Sequence, residues 1–502
     1  MENLFKNAKR FVLHLIVIAF MFTGRGVSAQ SPYPYAYSYA GIPFNTKSIV
    51  RNYDEQHAVV YYEESGFGYV SLVNVVTNTA ITVPLDTGYI MNDMFIMNDS
   101  VFLCGRWYYN PPNQVNYFYD GCIVTMNLNN FYSSSVLVTY FYPSYWIRMD
   151  YKRIKGFEYT YGPNNNTYAK FLLVSDIEYP CNGSEPFPFL PPVFSHNYEI
   201  QNNPSMCMVN AVVEVSYPFT TGSSGFKIRQ RVIRLMNPIG HTELIHDVVE
   251  TDNYVAFVGV EQGSSDFITL HVCNKGSSIL YSDYSPMPPQ ICDFDNYYTF
   301  SLGTVNGNPF YRACALDGDM IAVATQDETS TSSNAITVRT FDLATHTMTN
   351  AQELQCYSHP DFKDIAYLHD IHKVVLLYHG FFRQTNNYCD IFCTIDPYNT
   401  VASYVTQGIT DNVFYQKFNS LDAMYRNYFI STGGKYGFVS DASSWGTGNN
   451  CYYMEDYNVF KISVISTDNG SFNYDQYCPT ATKTLKDTVQ VLSTIPSHCM
   501  VK

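Results

Sequence analysis

One pattern recurs along most of this chain and limits what it can fold into. A short apolar strand leads through a tight polar turn into a strongly apolar strand. A variable loop, an alternating strand, a second tight turn and a fourth strand follow. Residues 311–349 hold the clearest copy: YRACAL, the turn Asp317-Gly318-Asp319, MIAVAT, a Ser/Thr loop, AITVRTF, DLATH and TMT. Residues 364–405 repeat it with DIAYLHD, IHKVVLLYHG, CDIFCTID, PYNT and VASYV. Further copies read at 47–84, 93–139, 154–235 (stretched), 244–282 and from 421 to Ile465, where the fourth strand is not evident.

A lone four-stranded unit cannot bury both of its faces, so such units stack on one another, and closing the stack removes exposed edges. Second strands that are apolar throughout (VFLCG, YVAFVGV, MIAVAT, KVVLLY) fit burial on both sides, and alternating third strands fit half-burial. The expected class is therefore all-β, a seven-bladed β-propeller of four-stranded antiparallel blades over residues 47–465. A pair of β-sandwich domains is the competing architecture, but sandwiches do not need seven copies of one hairpin rhythm. The 45 Tyr and 34 Phe suit strands. With 29 Lys and Arg against 44 Asp and Glu, a net charge of −15 excludes nucleic-acid binding by bulk electrostatics.

On this rhythm, and on polar turns such as FDLATHT at 341–347, the chain resembles secreted bacterial β-propeller proteins of the kelch and WD-repeat kind. The resemblance implies the fold alone. The kelch Gly-Gly doublet occurs once, at Gly433-Gly434, and there is no Trp-Asp dipeptide, sialidase Asp-box or YWTD motif.

The ends read differently. Lys6, Lys9 and Arg10 precede the apolar run 11–22, and Val27 and Ala29 form a small-residue cleavage site, so residues 1–29 read as a signal peptide cut between Ala29 and Gln30. The run is shorter than a bilayer span, and no other long apolar run exists, so no transmembrane segment is expected in the mature chain. Export to the periplasm, cell surface or medium follows, with a Gram-negative envelope as the analogy. Residues 30–46 form a Tyr/Pro-rich segment, and either they or the tail 466–502 are candidates to complete the last blade.

Thirteen Cys in an oxidising compartment leave at least one unpaired. Three staples are expected from the strand and loop layout: Cys104 with Cys122, Cys181 with Cys207, and Cys451 with Cys478.

In an antiparallel unit, the first-to-second and third-to-fourth turns share one end. Second-to-third loops and links between units share the other. The first class is mostly tight (NDS, TDN, DGD, NKG, DPYNT), while 106–121, 142–152, 177–205, 285–309, 381–388 and 435–452 read as long insertions of the second. Trp107, Trp146 and Trp445 fall in these insertions, with Tyr108, Tyr109, Tyr142, Tyr145, Tyr297 and Tyr298. Clustered loop aromatics mark a binding face suited to a sugar or a protein partner, although long loops also use aromatics as small cores of their own.

Catalytic motifs are absent: no H-E-x-x-H, G-x-S-x-G, P-loop or complete EF-hand loop occurs. Asp293 and Asp295 share a face of an extended segment and are weak candidates for a Ca²⁺ site or a carboxylate pair. His369 and His372, three apart on an expected strand, would point to opposite faces. The leading expectation is a secreted, monomeric, cofactor-free binding protein that takes a glycan or protein on its long-loop face. A propeller glycoside hydrolase or lyase, and a structural or adhesion protein, are the alternatives.

Overall fold

A computed structural model describes residues 47–64, 66–77, 79–85, 88–109, 118–129, 131, 133–139, 148–161, 166–180, 206–218, 229–233, 243–261, 266–275, 298–305, 310–326, 335–356, 360–382, 387–399, 404–409, 418–425, 427–433, 436–442, 451–453, 457–461, 480–484 and 489–491. The fold is all-β. Among the described residues no α-helix occurs, and one 3₁₀ turn, His369–Ile371, is the single helical element.

The strands fall into seven sheets among the described residues. The first holds β1 (Ser48–Asn52), β2 (His57–Glu64), β3 (Phe67–Asn74) and β4 (Thr79–Pro84). The second holds β5 (Tyr89–Met97), β6 (Ser100–Tyr109), β7 (Phe118–Asn127) and β8 (Ser133–Thr139). The third holds β9 (Arg148–Tyr161), β10 (Asn166–Pro180), β11 (Met206–Pro218) and β12 (Arg229–Ile233). The fourth holds β13 (Glu243–Glu250), β14 (Tyr254–Glu261), β15 (Asp266–Asn274) and β16 (Tyr298–Val305). The fifth holds β17 (Phe310–Ala315), β18 (Met320–Gln326), β19 (Ala335–Asp342) and β20 (Thr347–Gln355). The sixth holds β21 (Asp361–Leu368), β22 (Lys373–Phe382), β23 (Asn387–Ile395) and β24 (Tyr404–Ile409), with β28 (Cys451–Tyr453) parallel to β24. The seventh holds β25 (Ser420–Ala423), β26 (Tyr428–Gly433), β27 (Tyr436–Asp441) and β29 (Tyr457–Lys461). Four strands of each sheet pair antiparallel in chain order, β28 being passed over between β27 and β29.

The second strands explain the packing. Successive side chains on a strand point to opposite faces, and here each face meets a different neighbour. Val59 and Tyr61 of β2 pack with Met91, Val101 and Leu103 of the second sheet. Ala58, Val60 and Tyr62 pack with Met424, Ile430 and Val439 of the seventh. Phe102 and Cys104 turn to Phe171 and Leu173 of the third sheet, and Leu172 and Val174 turn to Val255 and Phe257 of the fourth. Ala256 and Val258 meet Ile321 and Val323 of the fifth. Ala322 and Ala324 meet Leu376 and Tyr378 of the sixth, and Val375 and Leu377 meet Phe429 of the seventh. Each fully buried Val, Leu or Phe contributes roughly 1.5–3 kcal/mol, so these second strands carry the core.

Several expectations change. The fourth strand of the fourth sheet is β16, which pairs with β15, not residues 277–282. Residues 436–441, expected within a loop, are a strand in the middle of the seventh sheet. Among the described residues that sheet takes all four strands from residues 420–461. The tail instead supplies β30 (Thr480–Thr484), antiparallel to β8, and β31 (Val489–Val491), antiparallel to β4. Outer strands expose unpaired N–H and C=O groups that favour such additions.

The Cys104–Cys122 disulfide does not form. Cys104 lies opposite Ile123 and Cys122 opposite Gly105, so an offset of one residue sends the two thiols to opposite faces of the sheet. Cys104 is buried toward the third sheet and Cys122 toward the first, both as free thiols. Cys181 and Cys478 lie outside the described residues, as do the side chains of Cys207 and Cys451. The signal segment 1–29 with its Ala29-Gln30 cut, and residues 30–46, also lie outside them. No helix among the described residues is long and apolar enough to cross a membrane.

Candidate functional site

The first strands lie side by side in the order β1, β5, β9, β13, β17, β21, β25, and β25 returns against β1. Together they line a cavity of about 580 Å³. One charged position recurs on every one of them, in order Arg51, Asp93, Arg153, Asp247, Arg312, Asp364 and Asp422, and Lys155 of β9, Glu250 of β13 and Lys363 of β21 line the wall as well.

Backbone irregularity aims many of these groups. In β5, β9, β13 and β21 the ladder skips one residue (Asn92, Lys152, His246 and Lys363), immediately before Asp93, Arg153, Asp247 and Asp364. Such bulges re-aim the following side chain. Glycine on the facing strand makes room for two of them. A Cβ on Gly105 would stand 2.0 Å from the Ile90 carbonyl oxygen, and one on Gly259 would stand 2.8 Å from that of Leu244.

The four aspartates share one geometry. One carboxylate oxygen accepts the N–H of the next residue, as Asp247 does from Val248 (3.0 Å) and Asp364 from Ile365 (3.0 Å). The other accepts an N–H of the neighbouring first strand: Ile154 to Asp93 at 3.1 Å, Ala313 to Asp247 at 2.9 Å, Leu421 to Asp364 at 2.9 Å and Asn52 to Asp422 at 2.7 Å. The arginines provide the complementary polarity. Arg51 donates to the Met94 carbonyl (3.0 Å) and to Asp93 (2.6 Å), and Arg153 lies 3.4 Å from Asp247.

Their titration follows from these contacts. Burial pushes Asp93 up, but the Arg51 and Arg153 charges and two backbone N–H groups hold it below the usual carboxylate range. Burial prevails at Asp364 and Asp422 and raises both. Burial, with repulsion from Arg153, pushes Arg312 down to about 10. A hydrogen-bonded, desolvated wall of this kind binds sheets together strongly once every partner is present.

A second constellation lies where β6, β7, β9 and β10 reach the second-to-third end of their sheets. The Arg106 guanidinium stands 5.1 Å from the Tyr108 ring centre and 5.3 Å from that of Tyr119, and Arg148 stands 5.8 Å from Tyr119. The two rings are tilted against each other at 5.4 Å. Arg106 bonds Asp150 (3.0 Å), Lys152 bonds Asp150 (2.6 Å), and Arg148 lies 3.4 Å from Glu178. At the opposite, tight-turn end, Asp317 joins the fifth and sixth sheets: His372 (2.8 Å), His369 (3.2 Å), Tyr398 (3.2 Å) and Tyr367 all bond its carboxylate. Burial pushes Asp317 up, but these four hydrogen-bond partners together hold it down at about 2. The two histidines therefore converge on one carboxylate rather than diverging, because a 3₁₀ turn replaces the expected strand. Among the described residues, no group of three or more His, Cys, Asp or Glu is arranged to hold a metal ion.

The expected aromatic site is divided. Trp107 is half-buried, packed against the core between the first two sheets and stacked on Tyr89 at 6.0 Å. Tyr108, one residue on, turns to the other face and joins Arg106. Tyr109 pairs through its backbone with Phe118, and its side chain lies outside the description. Trp146, Trp445, Asp293 and Asp295 also lie outside it. In chain order Trp146 falls between β8 and β9, Trp445 between β27 and β28, and Asp293 and Asp295 between β15 and β16. Tyr298, expected in a long loop, starts β16.

No family model matches the chain, and no curated protein does. Among solved structures it is similar to an uncharacterized protein of Listeria monocytogenes EGD-e at 10% identity, covering 84% of this chain and 99% of that one, with a TM-score of 0.39. It is similar to an exo-β-1,3-galactanase of Clostridium thermocellum at 10% identity (80% and 95% covered, TM-score 0.29). It is also similar to a polysaccharide lyase at 8% identity (94% of each chain, TM-score 0.30).

Proposed function

We propose that the chain is an exported, monomeric, non-catalytic binding protein. It is built as a seven-bladed β-propeller and takes a glycan or protein partner on the end where second strands meet third strands. The propeller reading is supported by the order of the first strands, which returns from β25 to β1, and by apolar clusters between successive sheets and between the seventh and first. Export rests on the basic, apolar and small-residue succession of residues 1–29.

The observation that carries the binding reading is the Arg106–Tyr108–Tyr119–Arg148 cluster at that end. Half-exposed tyrosines stacked on guanidinium groups present flat apolar faces, hydroxyls and charge together, as binding anchors do. The four aspartates of the cavity wall favour a non-catalytic role, because each spends both oxygens on backbone N–H groups. A general acid or nucleophile needs an oxygen free to meet its substrate.

Glycan-array binding and capture from a bacterial envelope extract, each run with Tyr108→Ala and Arg106→Ala, test the reading. Loss of one anchor is expected to weaken binding about tenfold or more. Wild-type binding in both variants would overturn it, as would turnover of a glycan by the wild-type protein.

A further inference from the structure

The cavity wall holds one lysine whose surroundings differ from those of its neighbours. Lys47 precedes β1 at the cavity mouth, and its Nζ donates to Oδ1 of Asn92, a neutral acceptor. Asn92 is the bulged residue of β5 and is fixed in place. Its Nδ2 donates to Asp150 Oδ1 (2.5 Å) and to the Tyr151 carbonyl (2.7 Å), which turns Oδ1 toward Lys47. The nearby carboxylate of Asp150 is already matched by Arg106 and Lys152. Among the described residues no carboxylate forms an ion pair with Lys47. By contrast Lys152, Lys275 and Lys363 each have one, and Lys155 stands over the Phe95 ring. An amine that is half-buried, held by an amide and open to a cavity keeps its lone pair available more readily than a solvated or ion-paired one.

We propose that Lys47 is a nucleophilic amine that condenses with an anionic aldehyde or ketone entering this cavity. Its nitrogen bonds to the carbonyl carbon, the nitrogen gives up its protons, and the former carbonyl oxygen leaves as water, forming an imine without any change of oxidation state. An anionic partner is favoured because Lys47, Arg51, Arg153, Lys155, Arg312 and Lys363 line the cavity, while four of its five carboxylates are already bound to backbone N–H groups. Burial, aided by the charge of Lys152, brings Lys47 down to about 8 against the opposing charges of Glu63, Asp150 and Cys104.

The probe is pyridoxal 5′-phosphate added to the full chain at pH 7, trapped with borohydride and mapped by peptide mass spectrometry. Lys47 is expected to label at least about tenfold faster than Lys373, which lies outside the cavity, with a rate that rises through pH 8. K47R is expected to lose that adduct alone. N92D places a carboxylate beside the amine and is expected to slow labelling of Lys47 several-fold at pH 7 while leaving other lysines unchanged. Labelling of Lys47 at or below the rate of Lys373 would overturn the proposal, as would N92D labelling at the wild-type rate or faster.

Discussion

Asp120 on β7 offers a sharp test of how burial alone governs this fold. It lies directly opposite Trp107 on β6, on the face turned toward the first sheet, and is 7% exposed. Its Oδ2 is buried without a hydrogen-bond partner, and desolvation alone lifts its carboxyl from 3.8 to about 7. The sign follows directly. Between those values the folded chain holds a proton that the unfolded chain has released, so stability falls as pH rises from about 4 to about 7 and is level above that. A shift of about 3 units corresponds to roughly 4 kcal/mol. Asp120→Asn cannot ionise, so the wild-type loss disappears. Its buried amide costs on the order of 1–3 kcal/mol at every pH, which leaves the variant slightly less stable than wild type near pH 4 and more stable near pH 8. Equilibrium denaturation of both proteins at pH 4.5, 6 and 8 gives the decisive quantity, the change in their stability difference across that range. A change of roughly 3–4 kcal/mol is expected; parallel stability curves would refute the reasoning.

Other perturbations follow from the same contacts. Asp93→Ala leaves the half-buried Arg51 without its 2.6 Å partner and the Ile154 N–H without an acceptor, and is expected to cost about 2–3 kcal/mol in thermal or chemical denaturation. Gly105→Ala forces a Cβ against the Ile90 carbonyl and is expected to cost about 3 kcal/mol or to prevent folding, whereas Gly318→Ala, with open space around it, is expected to cost about 1 kcal/mol through its positive φ. His246, half-buried and edge-on to Tyr311, is pushed down to about 4 chiefly by desolvation. The unfolded chain therefore binds the extra proton between about 6.5 and 4, so this contribution is present above pH 6.5 and fades as pH falls through that window; His246→Gln is expected to flatten acid unfolding by roughly 3 kcal/mol.

What the sequence made legible was the second strands. Runs such as YVAFVGV and MIAVAT announce burial on both faces, and they locate the units without further help. The misplaced elements failed for local reasons. Residues 277–282 have strand composition and directly follow a tight turn, whereas 23 residues (275–297) separate the true fourth strand from β15, a separation that no propensity encodes. Residues 436–441 follow the Gly433-Gly434 doublet, which reads as loop. The cavity wall was hidden because its repeat is one of position, not residue type. Arg and Asp occupy equivalent places, so no motif recurs, and the bulges that align them leave no mark on hydropathy. The thiols of Cys104 and Cys122 were judged by loop spacing, when a shift of one residue in register decides which face each occupies.

The number of sheets has its own electrostatic consequence. A closed circuit of alternating charges needs an even number of members, and here there are seven first strands. Alternation runs from Arg51 to Asp364 and then fails, because Asp422 follows with the same sign before the circuit returns to Arg51. Every other contact around the circuit can be attractive; the one between the sixth and seventh sheets cannot. Both carboxylates there are raised by burial, against the charges of Arg312 and Arg51 at Asp364 and of Arg51 at Asp422, and the contact across the seam itself is a backbone N–H, that of Leu421 to Asp364. Parity thus gives a nearly uniform wall a designated seam. Local opening should begin there, and the Leu421 amide, which bridges it to Asp364, is the hydrogen whose exchange would report it.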